Sequence, residues 1–125
     1  MASGTIDAGL LLKNMPSGGG TIVSVPSGAD TTTQEFTLSA GDHVILISAM
    51  FKATNGTGSR KVMCSFENED KKNLLEIAPN PNGYTTVGCI TTYKLNTGGT
   101  LKVWINQTSG SAMNCATWVN DIQFG

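Results

Sequence analysis

Residues 43 to 51 read His-Val-Ile-Leu-Ile-Ser-Ala-Met-Phe, an apolar run with turn-forming residues on either side. Such a run is rich in β-branched residues and too short to cross a membrane as a helix, so it reads as a strand. Successive strand side chains point to opposite faces, which puts Val44, Leu46, Ser48 and Met50 on one side and Ile45, Ile47, Ala49 and Phe51 on the other. Both sets are apolar. A strand of a solvent-facing antiparallel sheet alternates apolar with polar, so the second face of this one demands a cover. In a chain of 125 residues, the size of one domain, the candidate cover is another copy of the chain.

Turn chemistry punctuates the rest at short intervals: Pro16–Gly20, Pro26–Asp30, Ala40–Asp42, Asn55–Gly58, Pro79–Gly83, Asn96–Gly99 and Ser109–Ser111 each supply Gly, Pro, Asn or Asp where the chain must reverse. Between them, strands are expected at about Thr5–Lys13, Thr21–Val25, Thr33–Leu38, His43–Ala53, Arg60–Glu67, Asn73–Ala78, Tyr84–Leu95, Leu101–Gln107 and Ala112–Phe124. Gly9 and the Pro16–Gly20 run leave Leu10–Lys13 no length for a helix. The expected fold is all-β, an antiparallel sandwich with jelly-roll topology and about nine to ten strands. Residues 1–20 form an N-terminal strand and a glycine-rich leading segment, with Ser17–Gly20 as a loop or hinge; residues 21–125 form the domain.

A net charge of −1 and eight dispersed Lys and Arg residues offer no basic stripe for a phosphate backbone, so nucleic acid is not an expected partner. Charged residues make up 14% of the chain, which with 15 glycines and many Ser, Thr and Asn is the composition of an extracellular or virion β-protein. The first residues show neither the basic nor the apolar region of a secretory signal. Cys64, Cys89 and Cys115 are odd in number and lie on separate expected strands. They read as buried free thiols of a chain made in a reducing cytoplasm.

Catalysis finds little support. His43 is the one imidazole and stands at a strand start, so neither a nucleophile–base pair nor a zinc site can be assembled on it. The acidic cluster Glu67, Glu69 and Asp70 runs directly into Lys71 and Lys72, which is the pattern of a solvated hairpin tip. Ser17–Gly20 leads into a strand and is no phosphate cradle. No cofactor or metal is expected. Trp104 alternates with Leu101, Val103 and Ile105 and so sits on the polar face of its strand, where it meets another subunit, covers its own sheet or stacks on a sugar. Trp118, Ile122 and Phe124 share one apolar side of the last strand.

Three segments carry a resemblance: Thr37-Leu-Ser-Ala-Gly-Asp42 before the apolar strand, Ala53-Thr-Asn-Gly-Thr-Gly-Ser-Arg-Lys61, and Leu101-Lys-Val-Trp-Ile-Asn-Gln-Thr-Ser-Gly-Ser-Ala-Met-Asn114. Together they resemble the trimeric jelly-roll tip domains of bacteriophage tail fibres, a group similar to the tumour-necrosis-factor and complement globular-head superfamily. The likeness covers about residues 21 to 125. It implies a homotrimer, with Ile47, Phe51, Trp104 and Trp118 at the subunit interface. It also implies a non-enzymatic virion protein that joins other fibre proteins and attaches to a glycan or protein on the bacterial surface. Asn55, Arg60, Glu69, Asp70, Asn82 and Tyr84 are the candidate receptor contacts. The alternative is a purely structural trimeric head or decoration protein of a capsid fibre or spore surface.

Overall fold

The computed structural model describes residues 12–14, 17–52 and 56–124, with side chains from residue 20 onward. Nine strands follow one another: β1 (Leu12–Asn14), β2 (Ser17–Val25), β3 (Thr31–Leu38), β4 (Gly41–Phe51), β5 (Arg60–Phe66), β6 (Lys72–Ile77), β7 (Thr85–Leu95), β8 (Gly99–Gln107) and β9 (Met113–Phe124). From β3 onward every strand begins and ends within two residues of the segment that the turn residues delimit. No helix occurs among the described residues.

The pairing is nested. Strand β5 pairs with β6, β4 with β7, β3 with β8 and β2 with β9, all antiparallel, as in a long hairpin rolled upon itself. Rolling brings β4 beside β9 and β5 beside β8, which closes two sheets. The first runs β9–β4–β7 with β1 and β2 sharing the outer edge of β9; the second runs β3–β8–β5–β6. This is a jelly-roll sandwich. Four loops, 26–30, 52–59, 78–84 and 108–112, gather at one end. The turns at 39–40, 67–71 and 96–98 lie at the other, together with β1 and the C-terminal end of β9.

Between the sheets, Val25, Leu38, Ile45, Ile47, Phe51, Val62, Leu101, Val103 and Ile105 are each at most 1% exposed. Burying side chains of this size is worth about 1.5–3 kcal/mol apiece, and this layer is the dominant stabilising element. Its membership overturns part of the sequence reading. Ile47 and Phe51, expected at a subunit interface, face the second sheet and offer nothing to another copy. Both sets of the β4 alternation are apolar, so alternation alone leaves the inward set undetermined; the one small polar residue, Ser48, marks the set that faces out.

The glycine run at Ser17–Gly20 is also not a hinge. Ser17, Gly18 and Gly19 pair with Asn120, Val119 and Trp118, after which the register shifts before Ile22. Gly20 sits in the shift at φ +87°, and a Cβ there would lie 2.9 Å from Trp118 Nε1, so glycine both makes the irregular turn and lets the indole lie against the backbone. The expected strand over Thr5–Lys13 lies mostly outside the described residues.

Candidate functional site: an uncovered sheet face and a braced loop end

Among the described residues, nothing from the rest of the chain packs over most of the outer face of the first sheet. Across β7, β4 and β9 its side chains form five rows: Lys94–Asp42–Phe124, Thr92–Val44–Ile122, Ile90–Leu46–Asn120, Gly88–Ser48–Trp118 and Thr86–Met50–Ala116. Ile22 on β2 extends the last row beyond Ala116. The charged residues of the five rows are Asp42 and Lys94, both in the first. Of the four large apolar side chains that stay exposed among the described residues, three lie here: Ile22 (53%), Ile90 (63%) and Trp118 (40%). A contiguous apolar surface of this kind marks a contact site in a soluble chain. The face is not flat. A hollow of about 400 Å³ opens over Gly88, walled by Leu46, Ser48, Ile90 and Asn120, and a shallower one of about 250 Å³ lies between Val44, Thr92, Lys94 and Phe124.

The loop end is braced from below. Gln107 is fully buried and donates from Nε2 to the carbonyls of Val25 (2.9 Å) and Ser111 (2.8 Å), while its Oε1 accepts from the Ser109 amide at 2.8 Å. The Gly28 amide donates to the Gln107 carbonyl at 2.7 Å and the Gly110 amide to Ser27 Oγ at 2.9 Å. On the other side, Ser59 and Thr108 are joined by two hydrogen bonds through their amides. The buried amide thus ties the 108–112 loop to the end of β2, and the bonds of Gly28, Ser27 and Ser59 join the neighbouring loops to it, giving a base on which exposed loop residues can recognise something. Tyr84 (55% exposed) and Asn82 stand on the 78–84 loop, which is turned by the Asn82 amide donating to Asn80 Oδ1 at 3.1 Å and the Asn80 amide donating to Thr85 Oγ1 at 2.9 Å.

The six expected receptor residues do not converge. Asn82 and Tyr84 share the loop end, and Asn55 lies outside the described residues. Arg60 is at the same end but is 1% exposed and donates from Nη1 to the Thr57 and Ser59 carbonyls at 3.0 and 3.1 Å. It fastens Thr57 and Ser59, and burial lowers its pKa. Glu69 and Asp70 are exposed at the opposite end, on the turn where Glu67 adopts φ 52° and the Glu69 amide bonds the Phe66 carbonyl. No single ligand surface contains both groups.

Trp104 packs on its own sheet. Its Nε1 donates to Ser65 Oγ at 2.9 Å, beside Met63 (2% exposed), and Lys71 Nζ lies 4.2 Å from the ring centroid. Lys71 in turn pairs with Asp30 Oδ2 at 2.9 Å, and this bond with the one from Asn106 holds the Asp30 carboxyl below the usual range. Of the four expected interface residues, Trp118 alone lies on the uncovered face.

His43 is a tie between elements. It is 2% exposed, with Nδ1 2.7 Å from Asp121 Oδ1 and Nε2 2.7 Å from the Ser39 carbonyl. Both ring nitrogens are thus engaged, one by a side chain of β9 and one by the backbone of the 39–40 turn. Gln123 completes the cluster, accepting from Ser39 Oγ at 2.8 Å and donating to the Ala40 carbonyl at 2.9 Å. This network fastens the 39–40 turn to β9. The three cysteines are free thiols, Cys64 and Cys115 buried and Cys89 half-buried. Desolvation raises all three, Cys115 to about 12, and Cys64 lies 3.3 Å from the Tyr93 hydroxyl. Thiols so disfavoured as thiolates are poor nucleophiles. Among the described residues no three His, Cys, Asp or Glu side chains gather as a metal site.

No family model and no curated protein sequence matches the chain. Similarity is found in solved structures. A chain in the structure of infectious bursal disease virus, Gx strain, superposes with a TM-score of 0.58 at 8% identity, over 91% of this chain and 34% of that one. The present chain therefore spans about a third of the viral chain's length. The globular domain of zebrafish complement 1qA protein gives 0.47 at 14% identity, over 80% of this chain and 94% of that domain. A family 16 carbohydrate-binding module gives 0.33 at 10% identity, over 82% and 74%. The viral match establishes a shared jelly-roll sandwich and nothing finer.

Proposed function

We propose that the chain is a non-enzymatic, homotrimeric head of a phage fibre that attaches the virion to a glycan or protein on its bacterial host. The observation that carries the reading is the uncovered apolar face of the first sheet. Apolar area of that kind is unfavourable in water and becomes favourable when a partner excludes the solvent. Self-association through it leaves the braced loop end free, with Asn82 and Tyr84 outermost. Tyrosine is suited to such a position because its ring stacks on a sugar or an apolar side chain while the hydroxyl hydrogen-bonds. The fold shared with a chain of infectious bursal disease virus fits a virion role.

Two measurements test it. Light scattering across a dilution series should give a mass of three times 13.1 kDa, and the labelled protein should adsorb to host cells in a manner lost in Tyr84→Ala. A stable monomer removes the self-association. A trimer that adsorbs to no bacterial cell or surface glycan favours the purely structural head, which the same uncovered face supports equally.

A further inference from the structure

The 78–84 loop reads Ala-Pro-Asn-Pro-Asn-Gly-Tyr, and at its tip Asn82 is followed by Gly83. The same pair occurs at Asn55–Gly56, whose asparagine lies outside the described residues. Asn82 is exposed, and its side-chain amide makes no hydrogen bond with a described residue. The backbone N–H of Gly83 is likewise unbonded among the described residues, because the loop is turned by the amides of Asn80 and Asn82. A free amide carbonyl group and a free peptide nitrogen are therefore neighbours in the chain at an exposed tip. Other asparagines lack one part or the other. Asn80 is as exposed, but Pro81 follows it and has no N–H to lose. Asn106 donates to Asp30 Oδ1 at 2.8 Å, and Asn114 and Asn120 lie inside the paired strand β9.

We infer that Asn82–Gly83 is a site of spontaneous covalent modification, at which Asn82 closes on the Gly83 nitrogen and is converted to aspartate and isoaspartate. Hydroxide removes the Gly83 amide proton, and the nitrogen attacks the side-chain carbonyl carbon of Asn82. The new N–C bond forms, the bond from that carbon to Nδ2 breaks, and ammonia leaves with a proton taken from water. The cyclic imide that results then adds a water at either carbonyl. Opening on one side gives aspartate, and opening on the other gives isoaspartate, whose main chain runs through the former side chain. The sum is asparagine plus water giving a carboxylic acid plus ammonia, with no oxidant, metal or enzyme. Glycine favours ring closure because no Cβ crowds the attacking nitrogen and the backbone can swing to meet the carbonyl. A loop tip also opens at little cost. The product sets a carboxylate two residues from Tyr84, and isoaspartate lengthens the main chain within the turn that the Asn82 amide makes on Asn80 Oδ1. Conversion therefore gives the loop-end surface a limited lifetime.

The chemistry stands by itself, whereas the lifetime effect rests on the loop-end attachment proposed above, and the test separates the two. Folded protein is held in mildly alkaline buffer, sampled over days, and digested for mass spectrometry and isoaspartate detection. The peptide holding Asn82 should gain the mass of amide-to-acid conversion, at a rate within about tenfold of that in the urea-unfolded chain. Gly83→Ala is the comparison variant. Its Cβ would lie 3.3 Å from Asn80 Nδ2, the movable end of an exposed side chain, so the fold is kept. It should slow conversion about tenfold, the factor that corresponds to about 1.4 kcal/mol of added crowding in the closing step. An Asn82 peptide that converts in urea but keeps its amide in the folded chain overturns the inference, and so do equal rates in wild type and Gly83→Ala. Adsorption to bacterial cells, measured on the same samples, should fall in step with conversion in the wild type and hold its starting value longer in Gly83→Ala. Full conversion with undiminished adsorption overturns the lifetime effect. Fresh protein that adsorbs to no cell defeats the attachment reading, while the mass measurement still decides the modification.

Discussion

Replacing His43 by leucine should destabilise this protein far more than its place at a strand start suggests. The substitution removes both hydrogen bonds of a ring that is 2% exposed. Asp121, 4% exposed, loses its hydrogen bond to the ring, and so does the Ser39 carbonyl. An unpaired buried carboxylate costs about 3–5 kcal/mol. In a domain of this length that corresponds to a fall in Tm of about 10–20 °C. Removing the carboxylate as well should recover most of the loss. His43→Leu/Asp121→Leu retains only the orphaned carbonyl, worth about 1–3 kcal/mol, so the two single losses should exceed the double by about 2 kcal/mol or more. Urea unfolding followed by circular dichroism, at one protein concentration for all four proteins, measures the cycle. A His43→Leu loss below about 1 kcal/mol, or losses that simply add, would refute the claim that the pair is buried and mutually dependent.

Three further outcomes are expected. Gly58 and Gly28 share a left-handed φ of +79° and +80°, but a Cβ at Gly58 would overlap the Thr108 carbonyl whereas one at Gly28 meets nothing. Gly28→Ala should therefore cost about 1 kcal/mol from backbone strain alone and Gly58→Ala at least twice that; equal melting temperatures would contradict the packing of the 52–59 loop on the 108–112 loop. Trp104→Ala should lower stability by about 3 kcal/mol through exposing Met63 and freeing Lys71, with the mass in solution unchanged; dissociation without loss of stability would return Trp104 to an interface. Cys64, Cys89, Cys115 and Tyr93 are all raised by burial. Their folded pKa values lie above the unfolded ones, so the stability they confer is complete below the unfolded values and is lost as pH rises; for Cys115 the loss runs from about 9 toward about 12 at about 1.4 kcal/mol per unit, Cys64 and Cys89 add to it from the same onset, and Tyr93 follows from about 10. The urea midpoint should fall between pH 8 and 11, and a flat profile would show that these groups are not desolvated.

Much of the fold was legible along the chain because its causes are local. Glycine, proline and asparagine set the turns, β-branched runs set the strands, and the nested antiparallel pairing follows the connections those turns permit. The site was only partly legible. Alternation divided β4 into two apolar sets correctly, but which set turns inward depends on the second sheet, and so Ile47 and Phe51 went to the core while Val44, Leu46 and Met50 were left outside. Ser48 was the readable hint. Trp104 was placed correctly on the polar side of β8, yet its cover comes from Lys71, distant in sequence, which the 67–71 turn folds back over the ring.

The sequence alone determined that this chain is a β-sandwich with more apolar surface than its own core consumes, because composition and period are properties of neighbouring residues. Tertiary structure alone decided which surface is left over, and that Asn82 and Tyr84 stand at one end while Glu69 and Asp70 stand at the other. It also decided that Trp118 and Gly88 share a row. Those relations are set by strand register between segments about thirty to one hundred residues apart, and register is fixed by the whole rolled pairing, not by any stretch of it.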